Sequence, residues 1–434
     1  MRRGGDAPVA GEAGGIDRQE LWDLLVVIAC YSGIAALIAF FMYELSGTGS
    51  LWLTFDADRF HAMAEVIIGG FKPYIDFVDP KPPLLFFTVS FLDLLAPAGS
   101  LDIVIMSGVN VVCAVLVYIV GREDYGRISG FSAGLLFLVA AVFVQGYFLF
   151  SEQFAVLFIF LAFLLARRSH FWGAGVMLGL ATGFKQYALL ALIPLIYLMR
   201  VNGSRRYWEL VLPAILVFGG VFGALFVYYG PETTRSALNW TFGIAQSYVS
   251  GTMVEAPTYK PQNILAFTAN LLASVMMVLP TLLFAAASIW RRGLRTCDER
   301  AQGLFVLFFL STLFIRQYLH YWIIMLPFLV LIACREFEDQ NGMEPSRSPE
   351  ESVPTRFTGF LREVSSLPEG EGPEAPEPVV LFKGPVADEP GSGAPPPPDS
   401  GAVIPFRGEE KGCTGEQGPP EGEKKQPPET PPEP

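Results

Sequence analysis

Residues 21–43 read LWDLLVVIACYSGIAALIAFFMY, an apolar run whose one charge is Asp23. A helix of roughly 20 such residues crosses the ~30 Å hydrocarbon core of a bilayer. The run is longer than a signal-peptide core and no small-residue cleavage site follows it, so it is expected to remain as a first membrane span. Working outward from it, comparable apolar stretches recur as far as Cys334 and then stop. With 52% of 434 residues hydrophobic, the chain carries more apolar surface than one water-soluble domain can hide. The fold class that follows is an all-α polytopic membrane protein.

The net charge of -12 divides unevenly at this point. Residues 335–434 hold 9 Lys and Arg against 21 Asp and Glu, which leaves 21 against 21 in residues 1–334. The acidity therefore belongs to the tail, and the lack of a basic face argues against nucleic acid as a partner. Cys30, Cys113, Cys297, Cys334 and Cys413 are scattered, with no spacing suited to a disulfide framework or a zinc site.

Orientation follows from the basic residues, which concentrate in short cytoplasmic loops. Arg2, Arg3 and Arg18 place the amino terminus inside, and later clusters lie at Arg122–Arg127, Arg167–Arg168, Arg200–Arg206, Arg291–Arg295 and Arg335. All stay inside only if Leu84–Leu95, shorter than a span, lies in the outer interface. About ten spans result, near 21–43, 101–120, 130–149, 152–167, 171–184, 187–200, 208–229, 263–289, 303–315 and 319–334. The expected organisation is a cytoplasmic segment 1–20, a transmembrane domain 21–335 with long outer loops at 44–83 and 230–262, and a cytoplasmic tail 336–434. The tail holds 21 of the 34 prolines with much Gly, Glu and Ser, a composition expected to be disordered. Within it Phe357, Phe360, Leu361 and Val364 have helical spacing, suited either to a short helix on the membrane or to transient contacts in a coil.

The first outer loop carries the chemistry. From Leu51 to Phe87 it reads LWLTFDADRFHAMAEVIIGGFKPYIDFVDPKPPLLFF. Phe60, Met63, Ala64, Ile67 and Ile68 recur at helical spacing, which predicts an amphipathic helix over about 57–68 on the outer leaflet. Asp58, His61 and Glu65 then share its polar face. Asp56 falls at the helix start, Gly69 and Gly70 end it, and Lys81-Pro82-Pro83 closes the loop with stiff backbone. A carboxylate held there can take a proton from an acceptor hydroxyl as it attacks a sugar carbon on a lipid phosphate. The departing phosphate needs cations, for which Lys72, Lys81, Lys185, Lys260 and Arg316 are the outer candidates. The structural alternative makes Asp56 an ordinary helix cap and Lys81 a snorkelling anchor. There is no glycine-rich phosphate loop or nucleotide-binding strand–helix unit, which disfavours a sugar-nucleotide donor.

This loop resembles the first outer loop of the GT-C superfamily of membrane glycosyltransferases, the branch with protein O-mannosyltransferases and the aminoarabinose transferase of lipid A. The shared pattern is Asp56, Phe60, Gly70, Pro73, Tyr74, Asp76, Asp79, Lys81, Pro82 and Pro83, in that order and spacing. Weaker echoes follow at Ser151-Glu152, in GLATGFKQ around Lys185, and at His320-Tyr321. The resemblance implies Asp56 as general base, Tyr74, Asp76, Asp79 and Lys81 shaping the donor site, and Glu152, Lys185 and Arg316 bordering it. Ala57 stands where the family often has Glu, which makes Asp58 a substitute acid. The resemblance also implies a polyprenyl-phosphate-linked hexose as donor and a glycan, lipid or protein hydroxyl as acceptor; the topology puts the site on the extracytoplasmic face, and with no organelle address the expected membrane is a prokaryotic cell membrane.

Glu152 opens an apolar span, where an ionisable group is costly enough to suggest function. Arg316 suits a phosphate clamp or an interfacial anchor, and His320 a site or a structural role. His61 and His170 are read as structural. No cofactor is firmly implied; a divalent cation bridging Asp56 or Asp58 to a donor phosphate is compatible with the loop. The rival functions are a flippase or transporter of lipid-linked sugar, which would more naturally show charged, broken helices at midplane, and a non-catalytic membrane scaffold.

Overall fold

A computed structural model describes residues 18–47, 55–243, 264–314 and 317–335. The tail expected at 336–434, with Lys260 and Arg316, lies outside the described residues. Among those described, regular structure is helical apart from one isolated bridge between Pro73 and Phe77.

In chain order the helices are α1 (Arg18–Gly47), α2 (Phe55–Ile68), α3 (Pro83–Leu95), α4 (Asp102–Tyr125), α5 (Arg127–Phe143), α6 (Ser151–Arg167) and α7 (Phe171–Phe184). Then come α8 (Leu192–Val201), α9 (Trp208–Leu238), α10 (Ile264–Arg292), α11 (Cys297–Leu310) and α12 (Leu326–Cys334). Short 3₁₀ segments, Gln186–Ala191 and Leu319–Ile324, lead into α8 and α12. Among the described residues, four helices, α1, α4, α9 and α10, are long and apolar enough to cross a membrane. The other six stretches expected to span are also helical, but shorter.

Exposed apolar side chains such as Phe40, Phe41, Val227, Leu272 and Phe284 stud the long helices. Such a surface suits hydrocarbon rather than water, where it would forfeit about 25 cal/mol per Å². Inside, α6, α11 and α12 meet on aromatic rings: Phe305 and Phe328 stack at 4.3 Å, and Phe163 sets its edge against both. Helices α7 and α9 pack backbone to backbone because a Cβ at Gly175 or Gly179 would strike the carbonyls of Leu210 or Ala214.

At the end of α6 remote from Glu152, Arg167 joins Asp124 of α4 at 2.5 Å and Asp298 of α11 at 2.9 Å. Nearby the buried Arg335 bonds Ser288 of α10 and lies 3.3 Å from Glu299. Glu299 and Thr296 form the capping box that starts α11. These ties fix one end of the bundle, which leaves the other end to the first loop.

That loop folds largely as its pattern predicts. Helix α2 ends in paired bonds from Gly70 N–H to Ile67 and from Phe71 N–H to Val66, with Gly70 at φ 83°. This closure requires a left-handed residue, which glycine supplies without steric cost. Two details depart from the sequence reading. His61 is buried rather than sharing the polar face with exposed Asp58 and Glu65. Asp56 lies inside the first helical turn, since α2 already begins at Phe55.

Helix α3, of 13 residues, extends about 20 Å and packs on α2, α7 and α9, shorter than a bilayer crossing requires. The stretch expected as an outer loop from Gly230 is helical at its start: α9 breaks at Gly230 (φ 86°), resumes at Pro231 and ends in a π turn, Asn239–Gly243. A left-handed glycine followed by proline swings the chain while sparing an orphan amide, so the polar PETTRSAL segment reads as loop yet folds as helix.

Candidate active site

The turn after α2 is organised by Tyr74 and Asp79. Tyr74, at φ 63°, is buried and donates its phenol hydrogen bond to the Lys81 carbonyl at 2.6 Å. Ser236, on the resumed part of α9, donates to the Tyr74 carbonyl at 2.7 Å. Burial and the neighbouring Asp79 push the phenol's pKa well up, so it stays a donor. The backbone N–H of Lys81 bonds Asp79 Oδ1 at 2.9 Å and its ammonium lies 3.5 Å from the same oxygen, 4.6 Å over the Phe60 ring. The other Asp79 oxygen faces Arg59 at 3.4 Å. Asp79 itself is 1% exposed, so one buried carboxylate sets the position of two cations from different parts of the loop.

A second centre forms where α6 begins and α7 ends. Glu152 is fully buried; Lys185 Nζ lies 2.7 Å from its Oε1, and Tyr187 donates to that oxygen at 2.8 Å. Ser151 donates to Oε2 at 2.8 Å, and His320 Nε2 stands 3.7 Å from Oε1. The Lys185 ammonium also sits 5.1 Å from the Tyr187 ring centre and 5.3 Å from that of Tyr321. His320 stacks on Phe150 at 4.2 Å and on Tyr318 at 5.3 Å.

The two centres share one electrostatic neighbourhood. Lys81 and Asp79 act on Lys185, and Asp56 and Lys81 act on His320. Gln186, beside Lys185, donates to the Pro80 carbonyl at 3.1 Å and ties the loop to the α7 end. Burying charges costs several kcal/mol each unless they are paired, and such pairs are a weak source of stability. A cluster of this kind within an apolar bundle therefore points to function. Its cations can hold an anionic group, and Asp56 is among the charges that act on His320 at its edge.

Of the residues singled out from the sequence, Asp56, Tyr74, Asp79, Lys81, Glu152, Lys185 and His320 fall in this neighbourhood. Asp58 is exposed on α2. Asp76 is exposed too, and accepts the Lys72 backbone N–H at 2.7 Å, holding its own turn. Arg316 lies outside the described residues. Among those described, no group of three or more His, Cys, Asp or Glu is placed to hold a metal ion.

Sequence reasoning passed over Arg59 and Tyr187. Arg59 follows Asp56 by three residues, one helical turn, and that spacing was the available signal. Tyr187 had none, because its partner Glu152 is 35 residues away.

The model of glycosyltransferase family 87 matches residues 81–315, more than half of the chain. The match covers Lys81, Glu152 and Lys185 and begins after Asp56, Tyr74 and Asp79. No curated protein and no solved structure matches the chain.

Proposed function

From the premise that the chain belongs to glycosyltransferase family 87, we propose that it is a GT-C-type hexosyltransferase acting at the extracytoplasmic face of a cell membrane. Its donor is a polyprenyl-phosphate-linked hexose and its acceptor a hydroxyl of a glycan, lipid or protein. The observation that carries the reading is the joining of the Asp79–Lys81 loop to the buried Glu152–Lys185 pair through the Gln186–Pro80 bond, with Asp56 on the helix that leads into that loop. In this proposal about ten spans cross the bilayer, both termini are cytoplasmic, and the acidic tail is a solvating or interaction segment.

The mechanism follows from the charges. The acceptor hydroxyl attacks the anomeric carbon, Asp56 takes its proton, and the bond from that carbon to the phosphate oxygen breaks. Polyprenyl phosphate leaves with the electron pair. Lys81 and Lys185 stabilise the charge that grows on it, held in place before reaction by Asp79 and Glu152. Arg59 adds a third cation on the same helix as the base. Tyr74 fixes the Lys81 backbone, and the tight 72–77 turn presents the loop.

The test is donor choice by the purified, full-length protein. Labelled polyprenyl-phosphate hexoses should support transfer to a membrane-extract acceptor, and sugar nucleotides should not. Transfer from a sugar nucleotide with no lipid-linked sugar present would overturn the proposal.

A further inference from the structure

Outside the charge cluster, an ionic group centred on His61 joins three elements. His61 of α2 is 6% exposed, and both its ring nitrogens face carboxylates. Nδ1 lies 2.8 Å from Asp93 Oδ1 on α3, and Nε2 lies 2.8 Å from Asp102 Oδ2 in the first turn of α4. A neutral imidazole donates from one nitrogen only and would turn a lone pair toward the second carboxylate. The imidazolium donates from both, so the arrangement is a charged clasp. The other acidic groups nearby on α2, Asp58 and Glu65, are exposed, and Asp102 keeps a second, buried oxygen without a hydrogen bond.

Helix α2 has 14 residues, a length at which an isolated helix is marginal. It carries Asp56 and Arg59, five and two residues before His61. What holds it to the bundle determines where those side chains point, and misplacement of a reacting group by ~1 Å costs about 10²-fold in rate. Along its apolar side the helix is seated by Ala57, Phe60, Met63 and Ala64, with Phe60 against Phe86 at 6.3 Å between ring centres, and Arg59 ties its first turns to Asp79 at 3.4 Å. The clasp adds two charge-assisted bonds in different directions.

We infer that His61 is a positioning residue for transfer: clamped between Asp93 and Asp102, it fixes α2 so that Asp56 meets the acceptor hydroxyl beside the Lys81–Lys185 cations. The inference rests on the reading of Asp56 as the base. His61 touches neither sugar nor phosphate in this scheme and acts only through the helix.

The test is a double-mutant cycle on the full-length protein with kcat and donor KM as readouts. His61→Gln should lower kcat roughly 10-fold or more while changing donor KM less than about 2-fold. In an Asp56→Asn background the same substitution should cost nothing further, because there is no base left to position. An equal loss in both backgrounds would make His61 a general support of the fold and overturn the inference. Full rate in His61→Gln beside a slow Asp56→Asn would overturn the positioning role alone, whereas full rate in Asp56→Asn would overturn the base reading beneath it. Should His61→Gln fail to insert, Asp93→Asn removes one charge yet keeps an acceptor for Nδ1–H. It should show a smaller kcat loss and the same silence in the Asp56→Asn background, and additivity there would again contradict the inference.

Discussion

The Lys185 ammonium stands 2.7 Å from Glu152 Oε1, an oxygen that also accepts a hydrogen bond from Tyr187. Their partners come from separate helix ends, so the pair locks the start of α6 to the end of α7. It also fixes a cation on which the charges of Lys81 and Asp79 act.

Removing one partner strands the other charge in a buried site, at a cost of about 3–5 kcal/mol. Glu152→Gln should therefore lower both stability and transfer. Adding Lys185→Gln should restore much of the stability, since no unpaired charge then remains, but not the transfer. Denaturation in detergent and a transfer assay on the same samples check this. Activity that returned with stability would reduce the pair to a structural tie.

The His61 clasp predicts a pH dependence with a definite sign. Asp93 and Asp102 outweigh burial and raise the imidazole pKa to about 9 from its ordinary 6.5. A group raised on folding contributes fully below its unfolded pKa, here about 6.5. That contribution declines as pH rises and is gone above about 9; its size is at most about 3 kcal/mol. Melting temperatures measured from pH 6 to 10 should fall in that window for the native protein. His61→Gln should lack this fall, and equal slopes for both would contradict the assignment.

Topology is open to direct labelling. A cysteine at exposed Asp76 should react with an impermeant thiol reagent added outside intact cells, and one at exposed Arg205 should not. Labelling of Arg205 from outside would overturn the proposed orientation.

The fold was legible wherever one physical rule acted alone. Long apolar runs became α1, α4, α9 and α10, helical periodicity gave α2, and Gly70 ended it where the sequence placed the stop. Asp79 and Lys81 are two residues apart, so their pairing was within reach of a motif. The rest depended on residues far apart in sequence. His61 is 32 residues from Asp93 and 41 from Asp102, and on an amphipathic pattern alone it fell on the polar face. Ser236, 162 residues from Tyr74, lies in a helix that the glycine–proline break disguised as loop. Local periodicity reports which side of a helix is apolar; it does not report which buried carboxylate another helix brings to a histidine.

The central claim is that Asp56 removes the acceptor proton, and the most direct measurement is the turnover of Asp56→Asn with saturating lipid-linked donor. Asparagine keeps the shape of aspartate and suits a helix start, so insertion and stability should be nearly unchanged. Turnover should fall by about 10²- to 10⁴-fold, as expected for loss of a positioned base, with donor binding retained by Lys81 and Lys185. Asp58→Asn, changing a residue exposed on the same helix, should remain close to the native rate. Near-native turnover in Asp56→Asn would contradict the account.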